Sequence, residues 1–300
     1  MGIPGGGGAP ELYELPPGES ELARGRRSRI LAGLRQEGAK SVLIAILSTV
    51  VFFTVLVVIV LNSPGWLEVK RAFFSGKYFA ESLPEIAHRF LINVRAFLIA
   101  EAFILVWALF LAVLRSLPGP VFFPLRLLSI AYTDFFRGVP TILVIYILGF
   151  GAPALQIEGI PKSAFFWGVV SLVLVYSAYV AEVYRAGIES IHPSQIAAAR
   201  SLGLTRLQSL RFVVVPQAVR RVIPPLLNDF IGLQKDTALL SLIGVLEAFR
   251  QSQVDVAGSF NFTPHLATAL VFIVCTIPLT RMVDWLVRRE RSRRQAGAAL

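Results

Sequence analysis

The chain has 300 residues, of which 55% are hydrophobic and only 16% are charged, with a net charge of +10. Because soluble domains carry about 25% charged residues, this composition excludes a soluble globular protein, and the 22 phenylalanines exclude a disordered chain. In so apolar a chain the basic excess is typical of Lys and Arg residues that anchor loops at membrane lipid, so no nucleic-acid partner is expected.

Metal and cofactor chemistry is not expected either. The single cysteine, Cys275, excludes a disulfide framework and a cysteine-based metal site. The three histidines are too far apart in the sequence to suggest a metal cluster. The phosphate-binding pattern G-x-x-x-x-G-K-[ST] is absent, so the chain shows no sign of hydrolysing ATP itself.

The N-terminal region predicts a tail followed by a membrane helix. Residues 1–40 are polar and contain a run of four glycines, which predicts a disordered tail. Residues 41–61 contain no charge and are long enough to cross about 30 Å of hydrocarbon. This stretch starts too deep, and is too long, for a cleaved signal peptide. We therefore predict a transmembrane helix over 41–61 and an external loop over 62–89.

Five further apolar spans predict an all-α membrane core over residues 90–287. Their approximate limits are 90–114, 121–155, 164–181, 222–246 and 264–287. The stretch of about 35 residues over 121–155 exceeds one span and is interrupted at Arg137-Gly138-Val139-Pro140. Its first half is therefore predicted either to enter the membrane or to lie along its surface.

Loop charge predicts the orientation. With both termini inside, 20 Lys and Arg residues fall in inside segments and six in outside segments. This asymmetry favours a cytoplasmic location for the tail 1–40 and for the basic tail 288–300. An odd number of spans would place one basic terminus outside, which argues for six.

The inside segment 186–216 is too long for a simple helix connection and carries its own helix signals. A first short helix is predicted to begin with Ser194 as its N-cap and to end at Gly203 in the left-handed conformation. A second is predicted to begin at Thr205, whose spacing from Gln208 matches a capping box. An ordinary pair of interfacial helices would show the same signals.

The residues of this segment carry a family resemblance. Ala197-Ala198-Ala199-x-x-x-Gly203, followed after nine residues by Val213-x-Val215-Pro216, resembles the E-A-A loop of permease subunits of bacterial ABC importers. The flanking stretches resemble its polar amino acid branch, which serves histidine, glutamate or glutamine, and arginine; they are residues 136–140, 177–188 and 216–221. The resemblance covers about residues 88–290.

The resemblance implies a division of labour in the inner membrane of a bacterium. It implies a five-helix permease core, to which 41–61 is an addition, paired with an identical or related permease. ABC ATPase subunits would bind ATP, and an extracytoplasmic solute-binding protein would deliver a polar amino acid, so this subunit is not itself an enzyme. The residues implied to couple ATPase and membrane helices are Ser194, Ala197, Ala198, Ala199, Gly203 and Pro216. Ala197 replaces the family's glutamate, which removes about 0.5–1 kcal/mol of helix capping and bears on the ATPase contact.

Ionisable groups inside a span are costly and need partners or water. In the span 222–246, Asn228 and Lys235 are seven residues apart and share a helix face, and Asp229 and Asp236 share a neighbouring face. Two interpretations remain open: a polar lining for a zwitterionic substrate, or a Lys–Asp network that holds helices or protomers together.

A second charged pair stands at the end of the span 164–181. Glu182 and Arg185 are three residues apart, which predicts a structural ion pair that anchors the 186–216 segment. Two alternatives to an ABC permease remain: an ion-gradient-driven secondary amino acid transporter and a membrane scaffold without transport. Inverted repeats, which many secondary transporters contain, are not visible in the sequence.

Overall fold

The computed structural model describes residues 40–117 and 119–298. It divides into two units, Met1–Glu68 and Val69–Leu300. The predicted N-terminal tail lies outside the described residues except for Lys40, which begins the first helix.

The first unit contains helix α1, Lys40–Leu61, at the place predicted for the additional membrane helix. All of its residues are exposed, including bulky apolar side chains such as Leu43, Phe52 and Ile59. A helix that is apolar all round and uncovered by protein suits a lipid environment, because in water it would have to be buried.

The other helices follow in chain order, with α2 running across the boundary between the units. They are α2 Trp66–Phe73, α3 Gly76–Ser116, α4 Phe123–Gly138, α5 Thr141–Ala154, α6 Ala164–Glu189, α7 Pro193–Ser201, α8 Arg206–Ser209, α9 Val215–Asp236, α10 Ala248–Ser259 and α11 Thr263–Ala298. A π-helical turn, Leu210–Val214, leads into α9, and a 3-10 helix, Thr237–Ile243, follows it. The described residues contain no strand, which confirms the all-α prediction.

The region predicted as an external loop, 62–89, is largely helical instead. It holds α2 and the first turns of α3. Four of its seven charged residues recur every four positions and so form a polar stripe on α3; they are Lys77, Glu81, Glu85 and Arg89. Arg89 Nε donates to Glu85 Oε1 at 2.8 Å. Such pairs support a helix that continues beyond its apolar span.

Two other predicted spans are broken. Helices α4 and α5 meet at an angle of 101°, at the predicted interruption near Pro140. The span 222–246 is α-helical only to Asp236, after which the chain tightens into the 3-10 helix and turns at Gly244, whose φ is +86°. By length and composition, four helices of the described part can cross a membrane, or five if the bent pair is one span. Six spans therefore remain a prediction, because α9 carries several charges.

The core of the second unit lies between α3 and α6. Ala96, Ala100, Ile104 and Ala108 recur every four residues on α3 and are fully buried. These mostly small side chains let α3 approach α6 closely, as is common between membrane helices. Large apolar residues of α3 face away from the core, with Val106 70% exposed. The core thus holds α6 in place, and the end of α6 leads into the 186–216 segment.

Candidate functional site

The segment between α6 and α9 contains two short helices, α7 and α8, as predicted. The N-cap of α7 is His192, so the prediction of Ser194 in that role was wrong. His192 Nδ1 accepts a hydrogen bond from the Ser194 backbone N–H at 3.2 Å. The reason is Pro193, which takes the first helical position, where its missing N–H is not needed, and keeps the preceding residue extended.

Gly203 ends α7 in the left-handed conformation, with φ +84°, as predicted. Its N–H donates to Arg200 O at 3.0 Å, and the N–H of Leu204 donates to Ala199 O at 3.2 Å. These two bonds form a Schellman motif, which uses carbonyl groups that the helix end leaves without a partner.

The predicted capping box at the start of α8 is also present. Gln208 Oε1 accepts from the Thr205 backbone N–H at 2.8 Å, and Thr205 Oγ1 accepts from the Gln208 N–H at 3.3 Å. Pro216, which ends the E-A-A-like pattern, does not end the helical segment. It is the second residue of α9, because the π-helical turn continues directly into that helix.

The segment presents apolar side chains outward. Leu202 is 84% exposed, Leu207 73% and Phe212 62%. Ala197 and Ala198 are also exposed, and Ala199 is buried. Among the apolar residues that follow Thr205, Leu207 and Leu210 are exposed and Val214 is buried. An ordered, capped segment with exposed leucine and phenylalanine side chains is suited to bind another protein.

The predicted ion pair at the end of α6 is present and belongs to a larger network. Arg185 Nε donates to Glu182 Oε2 at 3.0 Å, and Arg185 also pairs with Glu189. Arg115, at the end of α3, donates from Nη1 to the same Glu182 oxygen at 3.1 Å. The network therefore fixes the end of α6 to the end of α3, a link that sequence spacing did not reveal.

The four polar residues predicted in the substrate path do not share one environment. Asn228 and Lys235 are exposed, and Asp229 and Asp236 are partly buried. Asp236 Oδ2 accepts a hydrogen bond from the Tyr176 hydroxyl at 2.9 Å. Within the described part of the chain, no ion pair joins Lys235 to either aspartate. Of the two interpretations that the sequence left open, the Lys–Asp network therefore has no ion pair of Lys235 among the described residues.

Asp229 lines a cavity of about 390 Å³ bounded by α4, α6 and α9. Its Oδ2 atom is buried and has no hydrogen-bond partner. The other charged side chains on the wall are Arg137, Glu182 and Arg221. Glu182 is already held by arginines, and Arg137 lies 5.9 Å from the centre of the Tyr179 ring. The cavity wall thus contains the carboxylate of Asp229 and the guanidinium groups of Arg137 and Arg221, while the unpartnered Asp229 oxygen is itself buried.

Sequence reasoning missed a buried polar cluster between α3 and α10. Glu247 is fully buried and caps α10 by accepting from the N–H groups of Phe249 at 2.9 Å and Arg250 at 2.8 Å. Asn93 of α3 donates from Nδ2 to Glu247 at 2.8 Å and accepts from Ala248 N–H at 3.2 Å. An acidic residue directly before a helix is a local capping signal, but its partner on α3 is not visible in the sequence.

A bundle of apolar helices long enough to cross a membrane, with a long capped connection and a cavity lined by charged side chains, is typical of membrane transport proteins. Residues 104–292 match the model of the family described as "binding-protein-dependent transport system inner membrane component", and the chain belongs to that family.

Curated relatives are permeases. The chain is 34% identical to the probable amino-acid permease protein YxeN of Bacillus subtilis (strain 168), over 69% of this chain and 92% of that protein. It is 36% identical to the probable glutamine ABC transporter permease protein GlnM of the same organism, over 56% of this chain and 77% of the relative.

Solved structures agree with the fold. The crystal structure of an amino acid ABC transporter with histidines has a TM-score of 0.64 and 29% identity, over 70% of this chain and 96% of that chain. An inward-facing MetNI methionine ABC transporter shares the fold, with a TM-score of 0.55 and 18% identity, over 72% of this chain and 99% of that chain.

Proposed function

We propose that the chain is the transmembrane permease subunit of an ATP-driven ABC importer that moves polar amino acids into the cell. Transport proceeds by alternating access, and ATP is bound and hydrolysed by separate ATPase subunits. A solute-binding protein delivers the amino acid, and a second permease, identical or related, completes the membrane part. The amino-acid and glutamine permeases among the relatives support the substrate class.

The observation that carries the coupling proposal is the capped segment between α6 and α9. Its Schellman turn at Gly203 and its capping box at Thr205 hold an exposed apolar surface in a fixed shape. Exposed apolar side chains on short helical turns are suited to a groove on a partner protein, and in this proposal the groove belongs to the ATPase. The segment follows α6 and precedes α9, so its displacement moves both.

The cavity at Asp229 supports a contact with the amino acid itself. A zwitterion carries an ammonium group that suits the Asp229 carboxylate and a carboxylate group that suits Arg137, and both residues line the cavity. Among the described residues, Arg137 forms no ion pair, so its guanidinium is available to an anion. Asp236 is assigned a structural role through Tyr176, and Asn228 and Lys235 lie outside this cavity.

Uptake into liposomes tests the proposal. The chain is purified in mild detergent together with its co-purifying ATPase and reconstituted, and labelled polar amino acids are offered with the binding protein. We expect accumulation that requires ATP on the ATPase side and persists without an ion gradient. Uptake driven by an ion gradient without ATP would instead identify a secondary transporter.

The contact at Asp229 is tested in the same liposomes. A hydrogen bond to a charged group contributes about 1.5–3 kcal/mol, so Asp229→Asn should weaken the apparent affinity for the amino acid by about 10- to 100-fold. The matched control is Asp134→Asn, which changes an exposed aspartate of α4 outside the cavity. Equal uptake by the two variants would remove Asp229 from the substrate path.

A further inference from the structure

Helices α6 and α9 touch through a glycine close to the point where the capped segment begins. Gly187 lies in the last turn of α6 and is buried. A Cβ atom placed on it would lie 2.1 Å from Val222 Cγ1, 3.4 Å from Ala218 O and 3.6 Å from Val222 Cβ. The glycine does not have a positive φ, so its small size matters here, and its backbone freedom does not.

A hydrogen bond joins the same two helices at almost the same level. The Arg221 guanidinium donates to the backbone carbonyl of Ser190, the residue that follows α6. Gly187, Ser190 and Arg221 also line the cavity that contains Asp229. The hydrogen bond and the glycine contact thus hold α6 and α9 together on either side of the capped segment. The residues that make these contacts also form part of the cavity wall.

We propose that the junction of Gly187 with Val222 is the positioning element that makes α6 and α9 move as one body when the capped segment is displaced. The proposal rests on the proposed function, because it requires an ATPase that moves the segment. Valine is branched at Cβ and stiff at χ1, and it lies here directly against helix backbone. Close-packed contacts of this kind transmit displacement, whereas a long flexible side chain would absorb it.

The geometry allows a test by size compensation. Gly187→Ala places a methyl carbon 2.1 Å from Val222 Cγ1, so the two helices must move apart or the valine side chain must shift. Val222→Ala removes the opposing methyl groups and loosens the contact. In the double variant the nearest atoms to the new Cβ are Ala218 O at 3.4 Å and the Cβ of position 222 at 3.6 Å, which are ordinary contact distances. The double variant therefore restores close packing between the helices: the two methyl groups of Val222 are lost, and one methyl group is added at position 187.

The measured quantity is the amount of amino acid taken up per ATP hydrolysed by the reconstituted complex. We expect Gly187→Ala to lower this ratio about tenfold, within the range of about 5- to 150-fold that is usual for coupling between sites. Val222→Ala should lower it less, and the double variant should recover most of the loss. Gly258→Ala is the matched control, because that helical glycine has no atom within 4 Å of its added Cβ.

Each outcome either supports or overturns the role of the Gly187–Val222 junction. A wild-type ratio in Gly187→Ala, or a loss that the double variant does not repair, overturns the junction as the positioning element. If Gly187→Ala fails to assemble, Val222→Ala still tests the proposal, and an unchanged ratio there overturns it. A wild-type complex without ATP-dependent uptake contradicts the proposed function instead, so the two failures are distinguishable.

Discussion

Gly203 offers the sharpest test of the capped segment. A Cβ atom on Gly203 would meet no atom within 4 Å, so substitutions there cause no clash, and only the backbone conformation at φ +84° is affected. A left-handed residue with a Cβ costs about 1–2 kcal/mol, and β-branched side chains are the least tolerant. One or two kcal/mol changes a conformational equilibrium about 5- to 30-fold, so Gly203→Val should depopulate the turn by that factor.

The assay compares Gly203→Val with Gly203→Asn, because asparagine adopts the left-handed conformation more easily. We expect the valine variant to insert normally in the membrane and to lose ATPase association or substrate-stimulated hydrolysis, and the asparagine variant to retain most of both. The reasoning is refuted if the valine variant transports like wild type. It is also refuted if asparagine is as harmful as valine, since the damage would then not come from backbone strain.

Three further predictions concern topology and capping. After replacement of Cys275, single cysteines placed in the tails 1–40 and 288–300 should resist an impermeant reagent in intact cells, and labelling of either tail would contradict the six-span orientation. Thr205→Ala should cost about 1 kcal/mol of local helix stability and reduce coupling less than Gly203→Val, measured by stimulated ATP hydrolysis. Glu247→Ala should leave Asn93 without its carboxylate partner and destabilise the detergent-solubilised protein by about 1–3 kcal/mol, measured by thermal unfolding against a change at an exposed glutamate, Glu158→Ala.

Features encoded by neighbouring residues could be predicted from the sequence. The Schellman turn at Gly203 and the capping box of Thr205 with Gln208 depend on spacings of a few residues, and both are present. The N-cap of α7 was assigned to the wrong residue because two polar residues, His192 and Ser194, lie on either side of Pro193 and both are able to cap a helix.

Partners far apart in the sequence could not be predicted. Asn93 and Glu247 are 154 residues apart, and Arg115 and Glu182 are 67 apart. Which helices approach each other is decided by packing of the whole core, and one sequence carries no direct signal of that choice. The region 62–89 was predicted as a loop because it lies between two apolar spans, although the four-residue spacing of its charges from Lys77 to Arg89 favours a helix.

Lys235 and Asp236 are adjacent in the sequence, but their side chains have different surroundings. The Asp236 carboxylate is held by the Tyr176 hydroxyl, and Lys235 is exposed without an ion pair to a described residue. Replacing Asp236 by Leu therefore leaves the tyrosine hydroxyl without its partner, at a cost of about 1–3 kcal/mol. Tyr176→Phe removes the same hydrogen bond, so it should also lower the stability of the protein in detergent.

The double variant Lys235→Met with Asp236→Leu distinguishes an ion pair from independent roles. If the two charges balanced each other, removing both would restore assembly relative to either single variant, because a broken buried pair typically costs about 3–5 kcal/mol. We expect no such recovery: the double variant should be as unstable as Asp236→Leu alone, and Lys235→Met alone should assemble normally. A loss of uptake by assembled Lys235→Met would then assign the lysine to a contact with substrate or with the second permease. Recovery of assembly in the double variant would restore the ion-pair interpretation and remove Tyr176 as the partner that stabilises Asp236.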